Sequence, residues 1–380
     1  MKTSELTRKL IEFDTTNPPG NEEKCIRHIG SLLKNAGFHT DYYYFAPKRP
    51  SLIARLLPPA TATLSQQLPI CFSGHVDVVP ATASDWKHPP FKPVISDGKL
   101  YGRGASDMKG GVAAIINAAL SLNQHRLKRS LILVITAGEE NSCQGATHLA
   151  ALPEKPLPEV GALLIAEPTS NYPYLGHKGL LWLKFAVRGK TAHSSMPAEG
   201  ENAILKAARL LLQLEKYDFN SSPHPLLGAA TLNPGTIKGG ININSVPDYA
   251  EFTIDIRTTP NLSHQQLLND LKNHLNKDVE IEIIQNETGF SSDPSHPWIQ
   301  QVFSLCQKYQ RSTKQIKAEG ISYYTDGAVM KRACGEPPTI ILGPGEPHMA
   351  HKVDEFCRLD RLEQATEIFL KIMNNWCLQF

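Results

Sequence analysis

The sequence predicts an α/β protein: a helix-covered, mostly parallel sheet interrupted by a smaller α+β insert. Short apolar runs read as buried strands, among them Pro69-Ile70-Cys71-Phe72, Leu131-Ile132-Leu133-Val134-Ile135, Ala162-Leu163-Leu164-Ile165 and Thr339-Ile340-Ile341-Leu342. Helical patterns alternate with such runs up to about residue 176, which is the order of a parallel sheet with helices on its faces. Beyond Lys178-Gly179 the strands change to period two, the pattern of a sheet open on one side. The chain is therefore read as a discontinuous domain, 1–178 and 289–380, around a second domain, 179–288. Its 380 residues are enough for two cores.

In chain order, Asn21 is a plausible N-cap, Ile26, Ile29 and Leu33 share a helical face, and Gly37 ends that helix. Residues 56–67 read as a polar loop. After Asp107, the residues Val112, Ile115, Ile116, Ala119 and Leu120 mark one face of an amphipathic helix. In the insert, Leu181, Leu183, Phe185 and Val187 alternate with Trp182, Lys184, Ala186 and Arg188. A helix from Ala203 to Leu214, a strand around Phe252-Ile254-Ile256, a second helix and Val279-Ile281-Ile283 follow, which makes three strands and two helices. No internal repeat or low-complexity tract is present.

Composition removes several function classes. With 39 basic and 37 acidic residues the net charge is +2, and no basic run points to nucleic acid or a membrane surface. The first residues lead into a polar amphipathic stretch without a signal core, and no apolar segment nears the roughly 18 residues of a membrane span. Seven scattered cysteines without Cys-x-x-Cys spacing fit a reducing cytoplasm better than a disulfide framework or a zinc ribbon. Cys71 and Cys143 read as small buried hydrophobes, not nucleophiles.

Chemistry-bearing residues follow the apolar runs. His75 and Asp77 come after the first run, Asp107 within Gly104 to Gly110, and Glu139-Glu140 after the second. Glu167 follows the third and His351 comes after the last. Ligands of an open α/β sheet gather beyond the carboxyl ends of its strands, so five segments deliver two imidazoles and several carboxylates to one rim. Singly, each has an ordinary reading: an N-cap for Asp107, a solvated loop for Glu139-Glu140, a turn for Glu167-Pro168, surface polarity for His351 with Asp354-Glu355. Their coincidence points to two divalent metals. Zinc takes imidazole and carboxylate donors and keeps a position open for water. Ions about 3.5–4 Å apart need a bridging carboxylate, for which the short Asp107 is the natural candidate. Asp77 is placed to accept the second N–H of His75. Neighbouring side chains of an extended segment diverge, so one of Glu139 and Glu140 should be a ligand and the other a proton shuttle.

At these residues the sequence resembles the di-zinc aminoacylase and peptidase family. The likeness runs through Gly74-His75-Val76-Asp77, Tyr101-Gly102-Arg103-Gly104 to Asp107-Met108-Lys109-Gly110, Gly138-Glu139-Glu140, Glu167-Pro168-Thr169-Ser170 and Gly343-Pro344-Gly345 with Ala350-His351-Lys352. The resemblance implies a zinc-peptidase-like catalytic domain with a lid/dimerisation insert. One Zn²⁺ would be held by His75, Asp107 and Glu167, and a second by Glu140, His351 and the bridging Asp107. Co²⁺ or Mn²⁺ suit similar donors. It further implies Glu139 as general acid/base, Asp77 as the group orienting His75, and a cis peptide at Asp107-Met108. His348 is set aside by the same pattern. Gly189 to Pro197 resembles the lid motif whose histidine, here His193, serves the oxyanion in a partner subunit's site. Alone, His193 would read as a solvent-exposed turn residue, and Arg257 as half of a cross-strand ion pair. Asn244, Arg257 and Thr325 fall at substrate-binding positions. The implied activity is cytoplasmic hydrolysis of a small N-acyl amino acid or dipeptide by a homodimer. Tyr323-Tyr324-Thr325-Asp326 and the Gly-Pro-Gly segment resemble the acetylornithine deacetylase branch, of arginine biosynthesis. The Gly-Gly-Thr-Ser-Asp-Gly stretch of the desuccinylases is absent. A succinyl-diaminopimelate desuccinylase, then a broader aminoacylase, dipeptidase or carboxypeptidase, are the alternatives. A binding protein on the same fold is a remote one.

Overall fold

The computed structural model describes residues 1–59, 68–275, 279–309 and 315–378. Most of the loop read at 56–67 lies outside the described residues. The chain forms two compact units: Met1–Leu175 with Ser292–Glu319 and Thr325–Phe380, and Gly176–Ser291 with Gly320–Tyr324.

In the first unit a six-stranded sheet runs in the order His39–Ala46, Arg49–Leu56, Leu131–Thr136, Ile70–His75, Ala162–Ile165, Thr339–Ile341. The last four strands are mutually parallel, and the first two form an antiparallel hairpin along one edge. Every residue of Ile70–His75 and Leu131–Thr136 is buried, as strands covered on both faces must be. Register aligns the parallel strands so that they finish together: His75 lies opposite Thr136, and Ile165 opposite both Ser73 and Ile341. The helices Thr3–Ile11, Lys109–Leu120 and Leu359–Cys377 pack on one another, and the latter two also on the strand Ile70–His75. A small three-stranded sheet joins Phe356–Arg358, Lys99–Tyr101 and Val94–Ser96.

The helix at Lys109–Leu120 departs from its expected amphipathic form, since residues Lys109 to Ala119 are all buried. Alanines and glycines fill its remaining faces, which lets neighbouring elements close in on every side. The first-turn cap at Glu23–Asn35 is Glu22, not Asn21, and its carboxylate is spent on Arg49 at 2.6 Å.

The second unit is a four-stranded antiparallel sheet in the order Thr231–Gly239, Tyr249–Thr258, Gly179–Arg188, Val279–Glu287. Its core packs the helices Ala203–Glu215 and His264–Leu275 against the inward residues, with Phe185 stacked on Phe252 at 4.8 Å. The sequence reading had three strands here. The fourth, Thr231–Gly239, contains Pro234 and Gly235, is almost wholly exposed and occupies an edge, the position where proline is tolerated in a sheet. The segment Gly320–Tyr324 joins this unit because Ile321 donates to the Gly176 carbonyl at 2.9 Å. Among the described residues no helix is long and apolar enough to cross a membrane.

Gly111 faces the Ala166 carbonyl so closely that a Cβ there would overlap it. Gly111→Ala should therefore cost about 1–3 kcal/mol, the usual penalty of overpacking, as measured by urea unfolding.

Candidate metal centre

The aligned strand ends position most of the site. His75 is the last residue of its strand, Glu139-Glu140 form a turn just beyond Leu131–Thr136, and Glu167 stands two residues past Ile165. Asp107 lies between the strand Lys99–Tyr101 and the helix Lys109–Leu120, and its peptide bond to Met108 is cis. His351 follows the short turn Pro347–Met349.

These side chains converge. His75 Nε2 is 3.3 Å from Asp107 Oδ1, and 3.9 Å from both Glu139 Oε2 and Glu167 Oε1. His351 Nε2 is 2.9 Å from Glu140 Oε2 and 3.6 Å from Asp107 Oδ2. Asp107 therefore turns one oxygen towards each imidazole. His348 is exposed and sits beside Phe356 instead.

Asp77 does more than the sequence reading assigned to it. The nearest acceptor for His75 Nδ1 is the main-chain oxygen of Asp77 at 3.0 Å, with the carboxylate farther off at 3.5 Å. A carbonyl only accepts, so Nδ1 carries the proton and the other ring nitrogen, Nε2, faces Asp107. The buried Asp77 carboxylate accepts the N–H groups of Glu139 at 3.0 Å and Glu140 at 3.1 Å, and Asn17 Nδ2 at 2.8 Å. Glu139 and Glu140 thus sit on a capped turn, not on the extended segment expected.

The sequence reading gave three contributors no role at the site. Asn17 carries no local pattern that marks it, and Asp326 was read only as the end of the Tyr323-Tyr324-Thr325-Asp326 stretch, without a role of its own; Asp326 is buried and accepts from Thr136 Oγ1 at 2.6 Å. Glu355, whose ordinary reading was surface polarity and which the resemblance set after His351 in the Gly343-Pro344-Gly345 pattern without a role, is fully buried beside the Asp107 loop. Thr325 is buried, and its hydroxyl accepts the Gly327 N–H at 3.0 Å.

His193, Asn244 and Arg257 belong to the second unit. His193 is exposed, and its Nδ1 accepts the Ser195 N–H at 3.1 Å. Asn244 is exposed, and its main-chain oxygen accepts from Ser194 at 3.1 Å. Arg257 pairs with Asp255 at 3.0 Å, two residues back along its own strand and not across the sheet.

Burial pushes the Glu139 and Glu167 carboxyls well above the usual range, with neighbouring carboxylates adding to the effect and His75 opposing it. Burial also raises Glu140, followed by the charge of Asp107. For His75 burial acts downwards, but hydrogen bonds to Asp107 and Asp77 and the charges of Glu139 and Glu167 outweigh it and hold the ring well above its ordinary value. The hydrogen bond to Glu140 raises His351. Burial works to raise Asp77, yet its bonds to His75, Asn17 and the Glu139 N–H keep it low.

The donor set fits divalent cations. Four carboxylates surround two imidazoles, ligand atoms of His75, Asp107 and Glu140 lie within 4.8 Å of one another, and the buried Glu140 Oε1 has no hydrogen-bond partner. Oxygen and imidazole donors of this kind suit zinc and its neighbours.

Fold and site together define a metal-dependent hydrolase on an α/β sheet. The chain belongs to peptidase family M20/M25/M40, whose sequence model matches residues 71–375. It is 31% identical to an acetylornithine deacetylase of Vibrio campbellii (strain ATCC BAA-1116), over 98% of this chain and 96% of that protein. It is 33% identical to a probable succinyl-diaminopimelate desuccinylase of Staphylococcus epidermidis (strain ATCC 35984), over 96% and 95%. In fold it is similar to an M20 family metallo-carboxypeptidase from Sulfolobus solfataricus, with a TM-score of 0.77, 19% identity and coverage of 98% and 99%. The protein is an enzyme, a metallohydrolase of this family.

The raised groups bind extra protons in the metal-free fold, so loading must release protons. The sign for stability follows. A raised group favours the fold below its ordinary value, 4.5 for these glutamates and 6.5 for the histidines, and that contribution is lost as pH rises through the folded value. Asp77, held low, acts in the opposite sense and only on acidification towards 3.8 and below. The metal-free protein should therefore lose Tm as pH rises above 4.5, where the glutamates begin to lose their extra protons, and further above 6.5, where the histidines follow. Over the same range the Tm gain from added Zn²⁺ should grow, which thermal melts at fixed ionic strength will measure.

Proposed function

We propose that the enzyme removes the acyl group from an N-acyl amino acid, in the manner of an acetylornithine deacetylase, with two zinc ions as cofactor. The observation that carries this reading is the convergence of His75, His351, Asp107, Glu140 and Glu167 around an Asp107 that faces both imidazoles, with Glu139 alongside. His75, Asp107 and Glu167 would hold one ion, and Asp107, Glu140 and His351 the other. When bound, the ions lower the pKa of water from 15.7 to about 7 and polarise the amide carbonyl.

Glu139 serves as the proton carrier. It takes a proton from the attacking water and delivers it to the departing amine, base first and acid second. Its raised carboxyl suits both roles. Asp77 keeps this chemistry aligned by holding the Glu139 and Glu140 amides. His193 of a partner subunit would meet the charge growing on the carbonyl oxygen. Arg257 would receive the substrate's α-carboxylate, a match for its planar fork, with Asn244 and Thr325 shaping that end.

Support for a dimer comes from the second unit. Leu205 and Leu212 on the helix Ala203–Glu215, and Ile237 on the edge strand, are at least half exposed. Exposed apolar side chains on a helix and an edge strand that touch one another suit an interface. Seven free, buried cysteines are in keeping with a cytoplasmic enzyme.

The acetylornithine reading rests on the relative at 31% identity over almost the whole chain, and on Tyr323-Tyr324-Thr325-Asp326 where desuccinylases carry a glycine pair. The desuccinylase reading is second, favoured by the 33% identity to that relative. Turnover of N-acetylornithine, N-succinyl-diaminopimelate and N-acetylmethionine side by side decides between them. The first should be fastest, and preference for the succinyl substrate would reverse the order.

Glu139→Ala should retain both metals and lose at least about 10²-fold in turnover. Wild-type turnover in that variant removes Glu139 from the mechanism. His193→Ala should lower activity without releasing zinc. Mixed with Glu139→Ala under subunit exchange, it should regain some activity, because one hybrid site recovers both groups.

A further inference from the structure

We infer that Glu355 is a positioning residue that sets where Asp107 stands between the two imidazoles. The inference deepens the proposed reading and rests on Asp107 as the bridging ligand. Glu355 touches neither imidazole. Its Oε1 accepts the main-chain N–H groups of Ser106 at 2.8 Å and Asp107 at 2.9 Å. Its Oε2 accepts the Gly104 N–H at 2.9 Å and Arg103 Nη1 at 2.8 Å. One fully buried carboxylate is thus the acceptor for three amides of the loop that ends in Asp107.

Strand pairing explains how this arises. Phe356–Arg358 pairs antiparallel with Lys99–Tyr101, and Phe356 lies opposite Tyr101. Glu355, just before the first strand, therefore meets the residues that leave the second. The Gly102 N–H donates to the Glu355 carbonyl at 2.9 Å, and Ser106 Oγ donates to the Phe356 carbonyl at 2.7 Å. Arg103, buried beneath the Trp86 ring, closes the loop from the other side.

The same segment carries His351, four residues earlier. His351 and Asp107 would both belong to the second metal. Glu355 ties them together, so that the 3.6 Å between His351 Nε2 and Asp107 Oδ2 is set by a carboxylate whose own partners are Arg103 and the loop amides, not the imidazoles. Neither oxygen is interchangeable with an amide. In Glu355→Gln, whichever side receives the NH₂ group faces main-chain N–H or guanidinium donors and repels them.

The test uses Co²⁺ as probe on the 380-residue chain stripped of metal. Cobalt affinity is read by competition with a chromophoric chelator, and ligand geometry by the visible spectrum of the bound ion. Glu355→Gln should weaken cobalt binding by about 10–100-fold and alter the spectrum. Glu355→Asp keeps the charge and the Arg103 pair but loses reach, so it should fold well and show a smaller loss of the same kind. Leu33→Ala, a core truncation in the helix Glu23–Asn35, controls for instability alone. It should lose Tm while binding cobalt as the wild type does. Wild-type affinity and spectrum in both Glu355 variants, or losses no greater than those of Leu33→Ala, overturn the inference. Asp107→Ala separates the two readings. Undiminished cobalt binding in that variant sinks the metal site itself, whereas loss there with none in Glu355→Gln sinks only the role of Glu355.

Discussion

Four carboxylates forced together at the ends of buried strands are the constraint on which this structure turns. Two like charges about 4 Å apart repel by about 4 kcal/mol at the effective dielectric of a protein. Asp107, Glu139, Glu140 and Glu167 share their pocket with two imidazoles, and Asp326 adds a further buried carboxylate beside Glu139. Among the described residues, the nearby cations are engaged elsewhere: Arg103 with Glu355, and Lys109 with the Phe13 carbonyl at 2.8 Å. Among the described residues no lysine or arginine pairs with these four carboxylates, so the two imidazoles, both held above their ordinary values, supply the positive charge of this crowd. That deficit is the physical reason why the fold calls for divalent metals, and why its own groups are held so far from their ordinary protonation.

Crowding of this kind is useful only when the crowded groups cannot relax apart. Two buried acids prevent it by spending their oxygens on main-chain amides. Asp77 clamps the turn that bears Glu139 and Glu140, while Glu355 clamps the loop that bears Asp107. His75 and Glu167 need less help, because they stand at or just beyond the ends of strands buried on every side. Rigid elements hold the histidine, and capped turns hold the carboxylates that an unfilled pocket would drive outward.

Much of this was legible in the chain. Apolar runs followed by His or acidic residues identified the parallel strands and the rim, because a buried strand and a polar ligand differ sharply in composition. The carboxylates acting through the backbone were harder to see. Glu355 and Asn17 pair with amides and a carboxylate distant in sequence, and no spacing rule records such a partner. The edge strand Thr231–Gly239 was missed for the opposite reason: it buries almost nothing, so it has no apolar period to read. Helix Lys109–Leu120 looked two-faced because its small residues are silent in a pattern search, although tight packing depends on them.

The helix Leu359–Cys377 packs against Thr3–Ile11, so two segments far apart in sequence close one layer. A ribosome must therefore have made both segments, more than 340 residues apart, before this layer can close, and His351 emerges only shortly before the second. Fragments that stop short of that histidine hold most of the repelling acids without the segment that pins Asp107. Such long-range closure slows folding relative to locally connected proteins. The nascent enzyme must wait for this late segment before it has anything to gain from an ion.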